Sequence, residues 1–156
     1  TFILFFSLLV SPFVYGADGD LVAQINQVRR EHGLKGLKRN ELLVESANAK
    51  ACDLKNGDYF SHTDLKGRSF GQWVLDAGYD YVYAGENLAR GFSNDSDILK
   101  AWLKSSSHRE IILSEKYTEI GIGRCDDYVA AHFGKRGTYL WSFVTRSVSQ
   151  LLALES

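Results

Sequence analysis

The hydrophobic period of the chain changes near residue 120, and that change constrains the fold more than any other feature. Upstream, apolar residues recur mainly three and four apart. Downstream, Ile120-Gly121-Ile122-Gly123, Tyr128 to Phe133 and Thr138 to Thr145 are short runs rich in aromatic and β-branched residues. Asp126-Asp127 and Gly134-Lys135-Arg136-Gly137 separate the runs, which predicts an antiparallel meander. Helices first and a meander last predict an α+β domain with helices packed on an antiparallel sheet.

The helical part divides at its own stop signals. Leu21, Val22, Ile25 and Val28 follow Asp18 and Asp20 and predict a first helix ending at Gly33. Asn40 is placed to cap a second, with Leu43, Ala47, Ala51 and Leu54 on one face until Asn56-Gly57. Ser69 is placed to cap a short third helix carrying Phe70, Trp73, Val74 and Ala77. Tyr81 to Ala89 reads as extended. A fourth helix is expected from Asp95 or Ser96, with Ile98, Leu99, Trp102 and Leu103 inward, then a helical turn from His108 to Leu113. Trp73, Trp102 and Trp141 are expected in the core.

Residues 1–17 differ in kind. An apolar run of about ten residues, then Ser11-Pro12, Gly16 and Ala17, with no charged side chain before Asp18, fits the later part of a secretory signal peptide. A buried strand or an uncleaved anchor is the alternative, although a membrane span needs about twenty apolar residues. The expected organisation is therefore a signal segment at 1–17, one domain at 18–149 and a tail at 150–156. It implies a secreted protein, extracellular or periplasmic, with no stable membrane span after cleavage. Eighteen Lys and Arg nearly balance nineteen Asp and Glu, so no basic footprint marks a nucleic acid as partner. A monomer is expected. Cys52 and Cys125 can pair in an oxidising compartment or remain as small buried thiols.

Three polar residues stand out for chemistry. His62 follows the second helix in the polar turn Tyr59-Phe60-Ser61-His62-Thr63-Asp64, and His108 follows Ser105-Ser106-Ser107. Glu86 lies between Gly85 and Asn87 inside an apolar extended run, where a carboxylate is costly unless paired. Two imidazoles and a carboxylate can bind zinc or another divalent cation, or can form a hydrogen-bonded structural network. His32 is expected to interact with the C-terminal end of its helix. His132, in a strand beside Phe133, is expected to be a core or sheet-surface residue outside the site. No G-x-S-x-G turn is present, Ser107 beside His108 does not make an oriented pair, and Cys52 among alanines reads as core or disulfide. Gly121-Ile122-Gly123 opens no helix and is not a phosphate cradle.

In linear order, Asn26-x-x-Arg29, Phe60-Ser61-His62, Ala77-Gly78-Tyr79, Gly85-Glu86-Asn87-Leu88-Ala89, Trp102 with Ser105-x-x-His108-Arg109, and Ile120-Gly121-Ile122-Gly123 resemble the CAP superfamily. That superfamily comprises cysteine-rich secretory proteins, antigen 5 and pathogenesis-related 1, and the likeness is to its bacterial SCP-like members. The resemblance implies a three-layer α-β-α sandwich and a central cavity in which two histidines and acidic residues converge, sometimes around zinc. It assigns His62, Glu86 and His108 to that cavity, with His62 and His108 as metal ligands. Ser105 stands where many eukaryotic members carry a second glutamate, so a two-carboxylate mechanism loses one partner.

Three functions follow from that cavity. One is an extracellular binding or interaction module for a small molecule, a lipid or a protein. Another is a zinc-assisted, peptidase-like hydrolase with Glu86 as general base on a bound water. In the third, the polar residues only stabilise the fold. Ser105 favours binding over catalysis.

Overall fold

The computed structural model describes residues 20–137, so the apolar run at 1–17, the expected strand Thr138–Thr145 and the tail at 150–156 lie outside it. Five helices and four strands follow in order: α1 (Leu21–Glu31), β1 (Lys38–Arg39), α2 (Glu41–Asn56), α3 (Phe70–Asp76), β2 (Tyr81–Arg90), α4 (Asp95–Lys104), α5 (Ser106–Ile112), β3 (Glu119–Cys125) and β4 (Tyr128–Arg136). Asn40 caps α2 as expected, its side chain accepting from the amides of Leu42 and Leu43. Ser69 stands at the N-cap of α3 without a side-chain bond. The cap of α4 falls one residue earlier than expected, on Asn94, which accepts from the Asp97 amide.

The sheet runs β1-β3-β4-β2, with β3–β4 and β4–β2 antiparallel and β1 parallel to β3. It is therefore mixed. Lys38 and Arg39 are both exposed and carry no alternation, and the backbone bonds from Lys38 to Thr118 and from the following Asn40 to Ile120 hold the strand in place.

Side-chain alternation along β4 separates two buried faces. Val129, Ala131 and Phe133 pack with Leu21, Ile25, Ile98, Leu99, Trp102 and Ile112, the apolar faces of α1, α4 and α5. Tyr128 and Ala130 pack with Ala47, Ala51 and Leu54 of α2. Helices thus cover both faces of the sheet, giving the three-layer α-β-α sandwich.

Glycines set the spacing on the α2 side. A Cβ at Gly121 would lie 2.2 Å from the backbone of Leu43 and Val44, and one at Gly123 2.0 Å from that of Ala47 and Asn48. Only hydrogen at these positions lets α2 rest directly on β3. The disulfide Cys52–Cys125, with Cα atoms 4.9 Å apart, then ties α2 to the end of that strand.

Candidate functional site

β2 is the outer strand of the described sheet, and Glu86 is the cross-strand partner of His132 on β4. Directly paired residues share a face. His132 is in phase with Tyr128 and Ala130, so both side chains point toward α2. Both are fully buried.

The Glu86 carboxylate is held at both oxygens. His62 Nδ1 lies 2.6 Å from Oε1 and His132 Nε2 lies 2.9 Å from Oε2. An ionised carboxylate only accepts, so each of these ring nitrogens donates its N–H. Burial pushes the Glu86 pKa up, but the hydrogen bonds from His132 and His62 outweigh it and leave the group below its ordinary value of 4.5. On the far side of His132, Nδ1 lies 2.8 Å from Ser46 Oγ on α2, and the hydroxyl donates to it in the neutral ring.

His62 comes from the loop between α2 and α3, which Asp64 makes rigid. Asp64 accepts from the amides of Lys66 and Arg68 and from Arg68 Nε, and Thr63 pairs with Ser69 across the loop. The His62 side chain remains 56% exposed. With Nδ1 committed to Glu86, Nε2 is the ring nitrogen left for another partner. The hydrogen bond from Glu86 raises the His62 pKa above 6.5, against partial burial and the charge of Lys50.

Lys50 is the further member of this polar centre. It is fully buried on α2, donates to Tyr59 Oη at 3.1 Å, and Tyr59 in turn donates to Asp53. Desolvation lowers its pKa, opposed by Glu86 and Asp53.

His108 and Ser105 occupy the other side of β2. Asn87 Nδ2 donates to the His108 carbonyl at 3.1 Å and so fixes α5 against the strand, while Trp102 Nε1 donates to the Leu88 carbonyl at 2.9 Å and fixes α4. Phe60, Leu88, Ala89, Arg90, Phe92, Ala101, Trp102, Ser105 and His108 line a cleft of about 300 Å3. His108 bonds to neither His62 nor Glu86. Burial, and then the charge of His62, lower its pKa below 6.5.

The structure thus joins His62 to Glu86 directly and sets His108 apart from that pair, in the cleft with Ser105, where the charge of His62 is felt. His132, left out by the sequence, is the second partner of Glu86. Its signal was a single imidazole in an otherwise apolar strand, the counterpart of Glu86 in its own run. Ser46 and Lys50 were also missed. They fall on the buried stripe Leu43, Ser46, Ala47, Lys50, Ala51 and Leu54, where a polar residue needs a partner.

The CAP family pattern, described as the cysteine-rich secretory protein family, matches residues 22–144. The chain belongs to the CAP family. Uncharacterized protein YkwD of Bacillus subtilis is 38% identical over 103 residues, covering 66% of this chain and 40% of that protein. Among solved structures, an extracellular SCP-domain protein of Bacillus anthracis superposes with a TM-score of 0.72 at 28% identity, over 74% of this chain and 39% of that one. An outer surface protein of Borrelia burgdorferi gives 0.69 at 26% identity, over 75% of this chain and 90% of its own. The chain spans about two fifths of YkwD and of the Bacillus anthracis protein.

The metal implied by membership can be tested against these donors. Each Glu86 oxygen already accepts one imidazole N–H inside a fully buried pocket, and His62 has spent Nδ1 on it. Among the described residues no group of three or more His, Cys, Asp or Glu side chains is arranged to hold a metal ion. Catalytic zinc sites use three protein ligands and structural sites four. His62 Nε2 and the His108 ring supply two, and the arrangement does not fit a resident zinc.

Proposed function

We propose that this CAP domain is an extracytoplasmic binding module whose ligand enters the cleft beside β2 and reaches the histidines from there. The observation that carries this reading is the composition of the cleft. Phe60 and Phe92 are 50% and 37% exposed at its walls, Trp102 and Leu88 form buried surface within it, and Ser105, His108 and Arg90 supply hydrogen-bonding groups. Aromatic walls with few polar groups suit recognition of a small ligand or the side chains of a docked protein. The disulfide supports an oxidising compartment. No described helix is long and apolar enough to cross a membrane.

The peptidase-like alternative needs Glu86 to accept a proton from a metal-bound water. Its side chain is fully buried and the imidazole hydrogen bonds at both oxygens lower its pKa and make it a weak base, so binding is favoured over hydrolysis. The purely structural reading describes the inner half of the network, Ser46, His132 and Glu86, and does not account for the exposed His62 or the cleft. A screen of small aromatic and aliphatic ligands by ligand-observed NMR tests the proposal. Ligands that bind the native domain and lose their signal with Phe60→Ala and with His108→Ala support it. Ligands unaffected by both substitutions contradict it.

A further inference from the structure

We infer that the cavity between the end of α1, β1 and the turn from α5 to β3 is a second binding site, in which Arg29, with Lys35 and Lys38 at the rim, receives a small polar monocarboxylate. The cavity holds about 660 Å3, a size that suits a small ligand. It shares no lining residue with the cleft beside β2.

Arg29 carries the argument. It lines the cavity although only 2% of it is exposed. A guanidinium has five N–H donors in a fixed plane. Nε donates to the Lys35 carbonyl at 2.9 Å, and Nη1 donates to the carbonyls of Ile112 and Ser114 at 2.7 and 2.9 Å. Nη2 donates to no described residue, and it is not one of the buried atoms left without a partner, so it faces open space. The three carbonyls hold the group still but carry no charge to match it. No described carboxylate forms an ion pair with Arg29, and Glu115 acts on it only through charge. A cation taken out of water is costly until it is paired. A carboxylate oxygen at Nη2 supplies both the missing acceptor and the missing charge.

The walls are fixed before any ligand arrives. Asn26 bonds the Leu37 amide and carbonyl, and the Lys38 amide donates to the Thr118 carbonyl, which ties the loop after α1 to the start of β3. Lys35 and Lys38 are exposed at the rim and make no ion pair with a described residue. Two carboxylates oppose them: exposed Glu115, and Glu119, which accepts from Asn40 and Tyr79. Three cations against two carboxylates leave one positive charge, which selects a monoanion over a phosphate dianion. Leu34 and Tyr117 are half-buried and offer apolar contact, while the charged rim suits a short polar ligand rather than a long acyl chain.

The test is NMR titration of the full chain at neutral pH and constant ionic strength, with N-acetylglycine as the probe. Saturable shifts are expected at the Arg29 side-chain N–H groups and at the amides of Gly33, Gly36 and Thr118, all fitting one Kd. The uncharged N-acetylglycinamide should shift none of them, and inorganic phosphate should bind more weakly than N-acetylglycine. Arg29→Gln should abolish the binding. Arg29 also fastens loops, so the rim variant Lys35→Ala, Lys38→Ala gives a test that leaves the buried frame untouched, and it should weaken binding about fivefold. Shifts that grow without saturating, that appear equally with the amide, or that fall on Leu88, Ala89 and His108 of the cleft instead overturn the inference. Unchanged affinity in the rim variant or in a folded Arg29→Gln, or tighter binding of phosphate, overturns it as well. None of these readouts depends on what occupies the cleft.

Discussion

Glu86→Gln removes the charge at the centre of the network while keeping its shape. Glutamine retains one carbonyl acceptor, so one imidazole can stay bonded, but its NH2 then faces the N–H of the other. The bond to His132 is wholly buried and charge-assisted, worth about 2 kcal/mol. The bond to the half-exposed His62 is screened by solvent and adds less than about 1 kcal/mol. The expected loss is roughly 2–3 kcal/mol at pH 6, a fall in Tm of about 10 °C for a domain of this size. The loss should also depend on pH. His62 has a folded-state pKa above 6.5, so its contribution is complete below that value and disappears as pH rises through the raised one. Glu86 lies below 4.5, so its contribution is complete above that value and disappears as pH falls through the lowered one. Urea unfolding of both proteins from pH 3 to 9 should therefore show the largest stability difference between about pH 4.5 and 6.5, shrinking on either side. A difference below about 0.5 kcal/mol, within the scatter of ordinary surface substitutions, or one flat across pH, would refute the assignment of Glu86 as a paired, ionised group.

Other perturbations probe the frame that holds the network. Gly123→Ala puts a Cβ 2.0 Å from the α2 backbone and must push the helix out by more than an ångström, so thermal melts should fall by the equivalent of about 3 kcal/mol. Changing Cys52 and Cys125 together to Ser opens a link of sequence separation 73 and is expected to cost roughly 4 kcal/mol in chemical unfolding on the chain-entropy model. Trp102→Phe loses the indole bond to the Leu88 carbonyl, and denaturant titration should register a loss of about 1–3 kcal/mol. A stability equal to that of the native protein in any of these would contradict the contact concerned.

Local physics made much of the fold readable from the residues alone. Apolar stripes and stop signals placed α1 and α2 because those patterns are contiguous in sequence. The expected contact of His32 with its helix end is present, Nδ1 lying 2.9 Å from the Val28 carbonyl. β1 was unreadable since two exposed residues held only by backbone bonds carry no pattern. His62 and Glu86 were legible as a polar turn and a carboxylate in an apolar run. The pairing of Glu86 with His132 was not, because strand order is decided by contacts between segments 46 residues apart.

Motif residues also had to be sorted by what they touch. Arg29, fully in the family pattern, is buried and donates to the carbonyls of Lys35, Ile112 and Ser114, while Asn26 brackets the backbone of Leu37 from both sides. Both fasten loops. Nothing in their spacing separates that duty from the duty of Glu86, and only burial and partners do.

Ring-nitrogen NMR of the three histidines across pH, in the native protein and in Glu86→Gln, reaches the centre most directly. His62 should titrate above 6.5 and His108 below it, and His132 should carry its proton on Nε2. Glu86→Gln should bring His62 back toward 6.5. A native protein in which His62 and His108 titrate together, or in which the His132 proton sits on Nδ1 with Nε2 bare toward Glu86, would contradict the buried carboxylate held between two imidazoles.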